Sequence, residues 1–186
     1  MTFVSELWLP IVLSGVLVFV GSFVTWALLP FHNKEWKGLS NENAVLAAIR
    51  QGNPGPGLYT IPHPANQREA RSKEFQDRVH AGASGHVTIM RPGAMNMGTN
   101  MALAVISNIL ISFFVAYVAF HTLVRGATYL EVFRVVGTIG FLAYCASSVQ
   151  DPIWFQRPWR SWVLQAIDAL VFGMLMGGTF GWLWPR

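Results

Sequence analysis

Four long apolar segments most strongly constrain how this chain can fold. The only charged residues within them are Glu131 and Arg134 in the third and Asp168 in the fourth. At 1.5 Å per helical residue, each segment is long enough to cross a hydrocarbon layer of about 30 Å. We therefore predict a transmembrane helix from each of the four segments, residues 7–29, 101–124, 128–149 and 161–183.

The composition agrees with a protein whose main solvent is lipid. Hydrophobic residues make up 53% of the chain and charged residues 12%, whereas soluble globular proteins are about 25% charged. This excludes an ordinary soluble enzyme, and we expect no nucleic-acid partner, because most basic residues flank the apolar segments. The fold class predicted is an all-α integral membrane protein with four transmembrane helices and a large, partly helical loop between helices 1 and 2.

A cleaved signal peptide is the alternative interpretation of the first apolar segment. It is disfavoured because the residues before that segment include no Lys or Arg, and no small-residue cleavage site follows it. The single cysteine, Cys145, cannot form an internal disulfide or a cysteine-based metal motif.

The loop of residues 30–100 holds four of the five His and eight of the thirteen Lys and Arg residues. We predict a short helix from Ser40 through Arg50, a polar helix that starts at Asn66 and ends near Gly82, and a short strand over residues 86–90. The loop is too small and polar for a large core of its own, so we expect it to pack on the membrane, the spans or a partner; disorder is the alternative.

The positions of the basic residues predict the orientation. Lys34 and Lys37 follow the first span and no basic residue precedes it, so the positive-inside rule places the large loop in the cytoplasm. Four spans leave both termini on the opposite side, which is the periplasm if the chain is bacterial.

Asp168 is the most informative residue, because a carboxylate inside a span is costly and usually marks a functional or paired site. Counting residues from the span ends puts Asn108 and Ser22 at a comparable depth. We predict a polar intramembrane cluster of Asp168, Asn108, Ser22 and Tyr144 between the helices. Its role is either structural, through interhelical hydrogen bonds, or in transport or proton handling.

Two further patterns concern the helix surfaces. Ala169, Gly173, Gly177 and Gly181 recur every four residues and form a small-residue face that lets another helix approach closely. That helix belongs either to the same bundle or to a second chain. Near the start of the third span, Thr128 and Glu131 predict a capping box, and Glu131 and Arg134 are expected to pair at the membrane interface.

A group of methionine and histidine side chains precedes the second span. Thioether and imidazole ligands suit Cu(I), but the spacing matches no recognised site, and methionine commonly fills gaps at apolar interfaces. We therefore predict no metal site, and the sequence does not identify a cofactor. The residues concerned are Met90, Met95, Met97 and Met101, with His80 and His86.

Several short stretches resemble a family of small bacterial membrane proteins with no known function. The resemblance covers nearly the whole chain and implies a bacterial cytoplasmic membrane and this four-span layout, but no activity, cofactor or site residues. The stretches are HNKEWKGL at 32–39, NMG at 96–98, YLEVFRVVGT at 129–138, Ile153-Trp154 with Pro158-Trp159, and FGWLWPR at the end.

Three classes of function remain open. The first is a non-catalytic accessory or assembly subunit of a larger membrane complex, with the lipid bilayer and other membrane helices as partners. The second is a small-solute or ion permease or channel that acts as a homo-oligomer and uses Asp168 along its path. The third is a membrane enzyme, for which His63, His80 and His86 with Asp77 or Glu74 are the candidates.

Overall fold

The structure, a computed structural model, describes residues 3–82, 84–93 and 96–186. It falls into two compact units. The helical unit comprises residues 3–37 and 96–186, and the inserted unit comprises residues 38–82 and 84–93. In chain order the elements are α1 (Phe3–Phe23, continued by a π-helical turn, Val24–Leu28), a 3-10 turn (His32–Lys34), α2 (Glu42–Gly52), β1 (Gly57–Ile61), α3 (Gln67–Ala70), α4 (Lys73–His80), β2 (Gly85–Ile89), α5 (Met97–Thr122), α6 (Tyr129–Cys145), α7 (Gln150–Phe155) and α8 (Trp159–Leu183).

Four helices in the helical unit are long and apolar enough to cross a membrane, which confirms that part of the prediction. They are Phe3–Leu28, Met97–Thr122, Tyr129–Phe155 and Trp159–Leu183. The first two begin four residues earlier than predicted. For α5 the reason is a cap, since the Asn96 side chain accepts a hydrogen bond from Thr99 N at 3.1 Å.

The third span begins as predicted, but it is not one continuous helix. Thr128 accepts from Glu131 N, and the Glu131 carboxylate accepts from Thr128 N, so the predicted capping box is present. Continuous α-helix stops at Cys145, and a turn separates it from the short helix α7. The predicted span of residues 128–149 therefore contains both the end of α6 and this turn.

The core of the helical unit is apolar. α1 packs on α5 and on α8, and α8 packs most extensively on α6. Side chains from all four helices meet in the interior, including Val18, Val115, Val136, Met176 and Phe180, each at most 1% exposed. A separate polar contact joins α1 to α5, where the hydroxyls of Ser14 and Ser112 lie 2.6 Å apart.

The small-residue face of α8 packs against α6 of the same chain. A Cβ atom on Gly173 would lie 2.6 Å from Gly137 O, and one on Gly177 would lie 2.8 Å from Phe133 O. Ala169 is 1% exposed, and Gly181 abuts Tyr129. Of the two predicted neighbours, the structure places the helix of the same bundle on this face, where only glycine allows so close an approach.

The inserted unit contains a two-stranded ribbon that the sequence analysis predicted only in part. β2 lies at the predicted strand and pairs antiparallel with β1, with Tyr59 opposite Val87. The polar helix predicted from Asn66 divides into α3 and α4, because the Ser72 side chain accepts from Phe75 N and begins a new helix. α2 starts at Glu42, and Asn41 rather than Ser40 holds the N-cap position.

The contact between α6 and α8 predicts a difference between two neighbouring glycines of α8. Gly173→Ala forces a methyl group into the backbone of α6, whereas Gly178→Ala places it 3.6 Å from the Tyr129 hydroxyl, an ordinary contact. Both substitutions gain the same helix propensity, so we expect Gly173→Ala to have the lower melting temperature by about 5 °C. Thermal unfolding in detergent measures it, and equal melting temperatures would contradict the packing described.

Candidate functional site

The end of α1 positions the polar side chains of the site. Its last turn is π-helical and closes with a hydrogen bond from Leu29 N to Val24 O of 3.1 Å. The chain then turns back through the 3-10 turn His32–Lys34. π-Helical turns recur at functional sites because the wider turn redirects side chains. Here it accompanies parallel stacking of the Trp26 and His32 rings, with centroids 4.1 Å apart and an interplanar angle of 7°.

Asp168 of α8 receives its contacts from this returning segment. Its side chain is buried, and Trp26 Nε1 donates to Oδ2 at 3.1 Å. His32 Nε2 lies 3.0 Å from the same oxygen. The hydroxyl of the neighbouring Thr25 donates to Ser22 O at 3.2 Å. The acid predicted from the sequence thus has aromatic and imidazole neighbours.

His32 lies between two carboxylates. Its Nδ1 is 2.8 Å from Glu35 Oε2, and its Nε2 makes the 3.0 Å contact with Asp168. The second contact has the distance of an ion pair, and Nε2 has no hydrogen-bond partner among the described residues. The three side chains are 3% (His32), 8% (Glu35) and 5% (Asp168) exposed. We call Glu35, His32 and Asp168 the acid–histidine cluster.

The acid–histidine cluster concentrates charge where little water reaches it. Burying charged groups is costly unless they are paired, and the imidazole is the only basic group in contact with these two acids among the described residues. The stacked indole of Trp26 also favours a positively charged ring. One oxygen of each acid, Asp168 Oδ1 and Glu35 Oε1, is buried without a hydrogen-bond partner in the described part of the chain.

The polar cluster predicted from the sequence is divided in two. Tyr144 Oη donates to Asn108 Oδ1 at 3.0 Å and joins α6 to α5. Ser22 donates to Phe19 O of its own helix at 2.7 Å. The described partners of Asp168 are the residues after Ser22 and not Asn108 or Tyr144. The prediction assigned depth by counting along straight spans, and it could not include a segment that folds back after the span.

The sequence analysis did not assign Trp26, His32 or Glu35 to the site. His32 was counted only among the loop histidines. A usable signal is present, because His32 and Glu35 are three residues apart directly after an apolar span, on a chain with one lone acid in another span. Together these features indicate a candidate partner for Asp168.

The expected pair of Glu131 and Arg134 is corrected by the structure. Glu131 Oε2 accepts from Thr128 N at 2.8 Å and from Thr128 Oγ1 at 2.9 Å. No ion pair within 4.0 Å joins it to Arg134 in the described residues, because the capping box turns the carboxylate toward the start of α6. The ion pair found at this end of the bundle instead joins Arg125 to Glu6.

The methionine and histidine side chains before α5 show no assembled site. Met90 and Met97 are 71% and 65% exposed, and Met95 lies outside the described residues. His86 Nδ1 is 3.3 Å from Thr60 Oγ1 across the ribbon. In the described ranges, no group of three or more His, Cys, Asp or Glu side chains is arranged to hold a metal ion.

Comparison with known proteins finds no family model, no curated protein and no solved structure that matches this chain. The resemblance noted from short sequence stretches therefore stays a prediction. Function has to be argued from the geometry of the helical unit and of the acid–histidine cluster.

Proposed function

We propose that this chain is an integral protein of a bacterial cytoplasmic membrane and a non-catalytic accessory or assembly subunit of a larger membrane complex. Two observations support this proposal, an apolar interior and an exposed apolar surface on α5. Apolar side chains from the four long helices form the core between them.

The outer surface of α5 is the part of the bundle best suited to a partner. α5 packs on α1 and to a smaller extent on α6, and it leaves a stripe of large apolar side chains uncovered at helical spacing. These side chains are 55–60% exposed, and they are Leu103, Ile106, Leu110 and Phe114. Lipid can cover such a stripe, but so can the apolar helix of another subunit, because close packing between helices drives association in a bilayer.

Site-specific photo-cross-linking in living cells tests the subunit proposal. A photoreactive amino acid at Leu110, which is 55% exposed, is expected to form adducts with other polypeptides. The matched control is Val115 on the same helix, which is 1% exposed and faces the interior, so it should give none. Adducts with lipid alone would contradict the proposal. Adducts with only a second copy of the chain would favour the homo-oligomeric permease, which flux through liposomes containing Asp168→Asn would then test.

We further propose that the inserted unit lies in the cytoplasm and that both termini lie in the periplasm. The support is the cluster of basic residues in the inserted unit and beside the end of α1, of which Lys34 and Lys37 come first. This orientation places the acid–histidine cluster at the cytoplasmic ends of α1 and α8.

Thiol labelling tests this topology, and the chain suits it because the single cysteine, Cys145, is buried. In a Cys145→Ser background, a membrane-impermeant maleimide should label Arg186→Cys in cells with a permeabilised outer membrane. Gln51→Cys of α2 should react only after the cytoplasmic membrane is broken. The reverse pattern would overturn the proposed orientation. Equal labelling of both positions before lysis would contradict the placement of the two positions on opposite sides of the membrane.

A further inference from the structure

We propose that the acid–histidine cluster is a proton-binding site, in which Glu35, His32 and Asp168 hold one proton more than two carboxylates and a neutral imidazole would. This inference concerns the isolated chain and does not depend on whether it has partner subunits. It follows from the positions of the ring nitrogens and from the burial of the three side chains.

The count of hydrogen-bond donors carries the argument. A neutral imidazole has one N–H group, and its other nitrogen presents a lone pair. In this cluster, each ring nitrogen lies within 3.0 Å of a carboxylate oxygen. A neutral ring between two ionised acids would therefore leave an unprotonated nitrogen within 3.0 Å of a carboxylate oxygen, and their lone pairs repel. One additional proton, on the ring or on an acid, removes that repulsion.

Burial increases the energetic cost of losing this additional proton. With it, the cluster carries a net charge of −1, and without it the charge is −2. None of the three side chains is more than 8% exposed, so water compensates the second negative charge poorly. Asp168 Oδ1 and Glu35 Oε1 have no hydrogen-bond donor among the described residues, so the carboxylate charges receive little compensation from the surrounding protein. Because the groups interact so closely, the proton belongs to the cluster as a whole.

No other described group supplies the missing positive charge. The charged and titratable side chains on the surrounding elements are exposed or already paired. They are Lys34 and Lys37 beside the 3-10 turn, Arg160 at the start of α8, Arg157 paired with Asp151 near α7, and Tyr144 of α6 bonded to Asn108 of α5.

Loss of the proton should weaken the contact between α8 and the segment that follows α1. A histidine in the unfolded chain has a pKa of about 6.5 and is neutral well above that pH, where the folded chain would bind one proton more than the unfolded chain does. Stability falls with rising pH wherever the folded state holds the extra proton. We therefore expect the melting temperature to fall above neutral pH, by about 3 °C per pH unit from this site.

The test compares melting temperatures of the purified full chain in lipid nanodiscs from about pH 6.5 to about pH 9. In Glu35→Gln, a neutral His32 can carry its proton on Nε2, the nitrogen 3.0 Å from Asp168, and accept at Nδ1 from the new amide, so no extra proton is needed. The decrease in melting temperature with rising pH that we expect for the wild type should be smaller in this variant. Asp151→Asn removes an acid from the exposed pair with Arg157, and it should keep the wild-type slope.

The comparison has clear opposing outcomes. Wild type, Glu35→Gln and Asp151→Asn with the same slope would overturn the proposal, because the acids of the cluster would then have a structural role only. Should Glu35→Gln fail to fold, Asp168→Asn provides the second variant, since a neutral ring can donate from Nδ1 to Glu35 instead. Its slope should flatten as well, and a slope equal to that of the wild type would again reject the site.

Discussion

A carboxylate on an otherwise apolar helix has to find a compensating group, and the contact between Asp168 and His32 meets this requirement. Several features of the helical unit bring His32 and Trp26 to Asp168. The π-helical turn redirects the end of α1, the chain folds back through a 3-10 turn, and the indole of Trp26 both stacks on His32 and donates to Asp168. Without this returning segment, the buried acid would have no basic contact among the described residues.

The tight packing of α8 on α6 is a second, independent constraint. Gly173 and Gly177 bring the backbones of the two helices together along one face. Asp168 directly precedes Ala169, the first residue of this face, and contacts the segment that follows α1. The fourth helix is therefore held by backbone contact with α6 and by polar contact with the segment after α1. Because α8 packs on both α6 and α1, it is the most buried of the four long helices.

Local patterns were sufficient to predict much of this fold. The four long helices, the capping box at Thr128 and the small-residue face of α8 all depend on residues close together in sequence. The partners of Asp168 depend on a chain reversal between α1 and α2. The periodicity of hydrophobic residues in the sequence does not predict such a reversal. The same limit explains why Asn108 and Tyr144, assigned to one cluster with Asp168, bond to each other instead. Glu131 was expected to pair with Arg134, and in the structure its carboxylate accepts hydrogen bonds from the N-cap residue Thr128.

The dependence of Asp168 on His32 can be measured as a coupling free energy in a double-mutant cycle. The cycle compares the unfolding free energies of the wild type, His32→Gln, Asp168→Asn and the double variant. If the two side chains form one buried charged pair, each single substitution strands its partner, and the double variant loses about 2 kcal/mol less than the sum of the two. Losses that add to within about 0.5 kcal/mol would show that the two residues act independently, and would contradict this account.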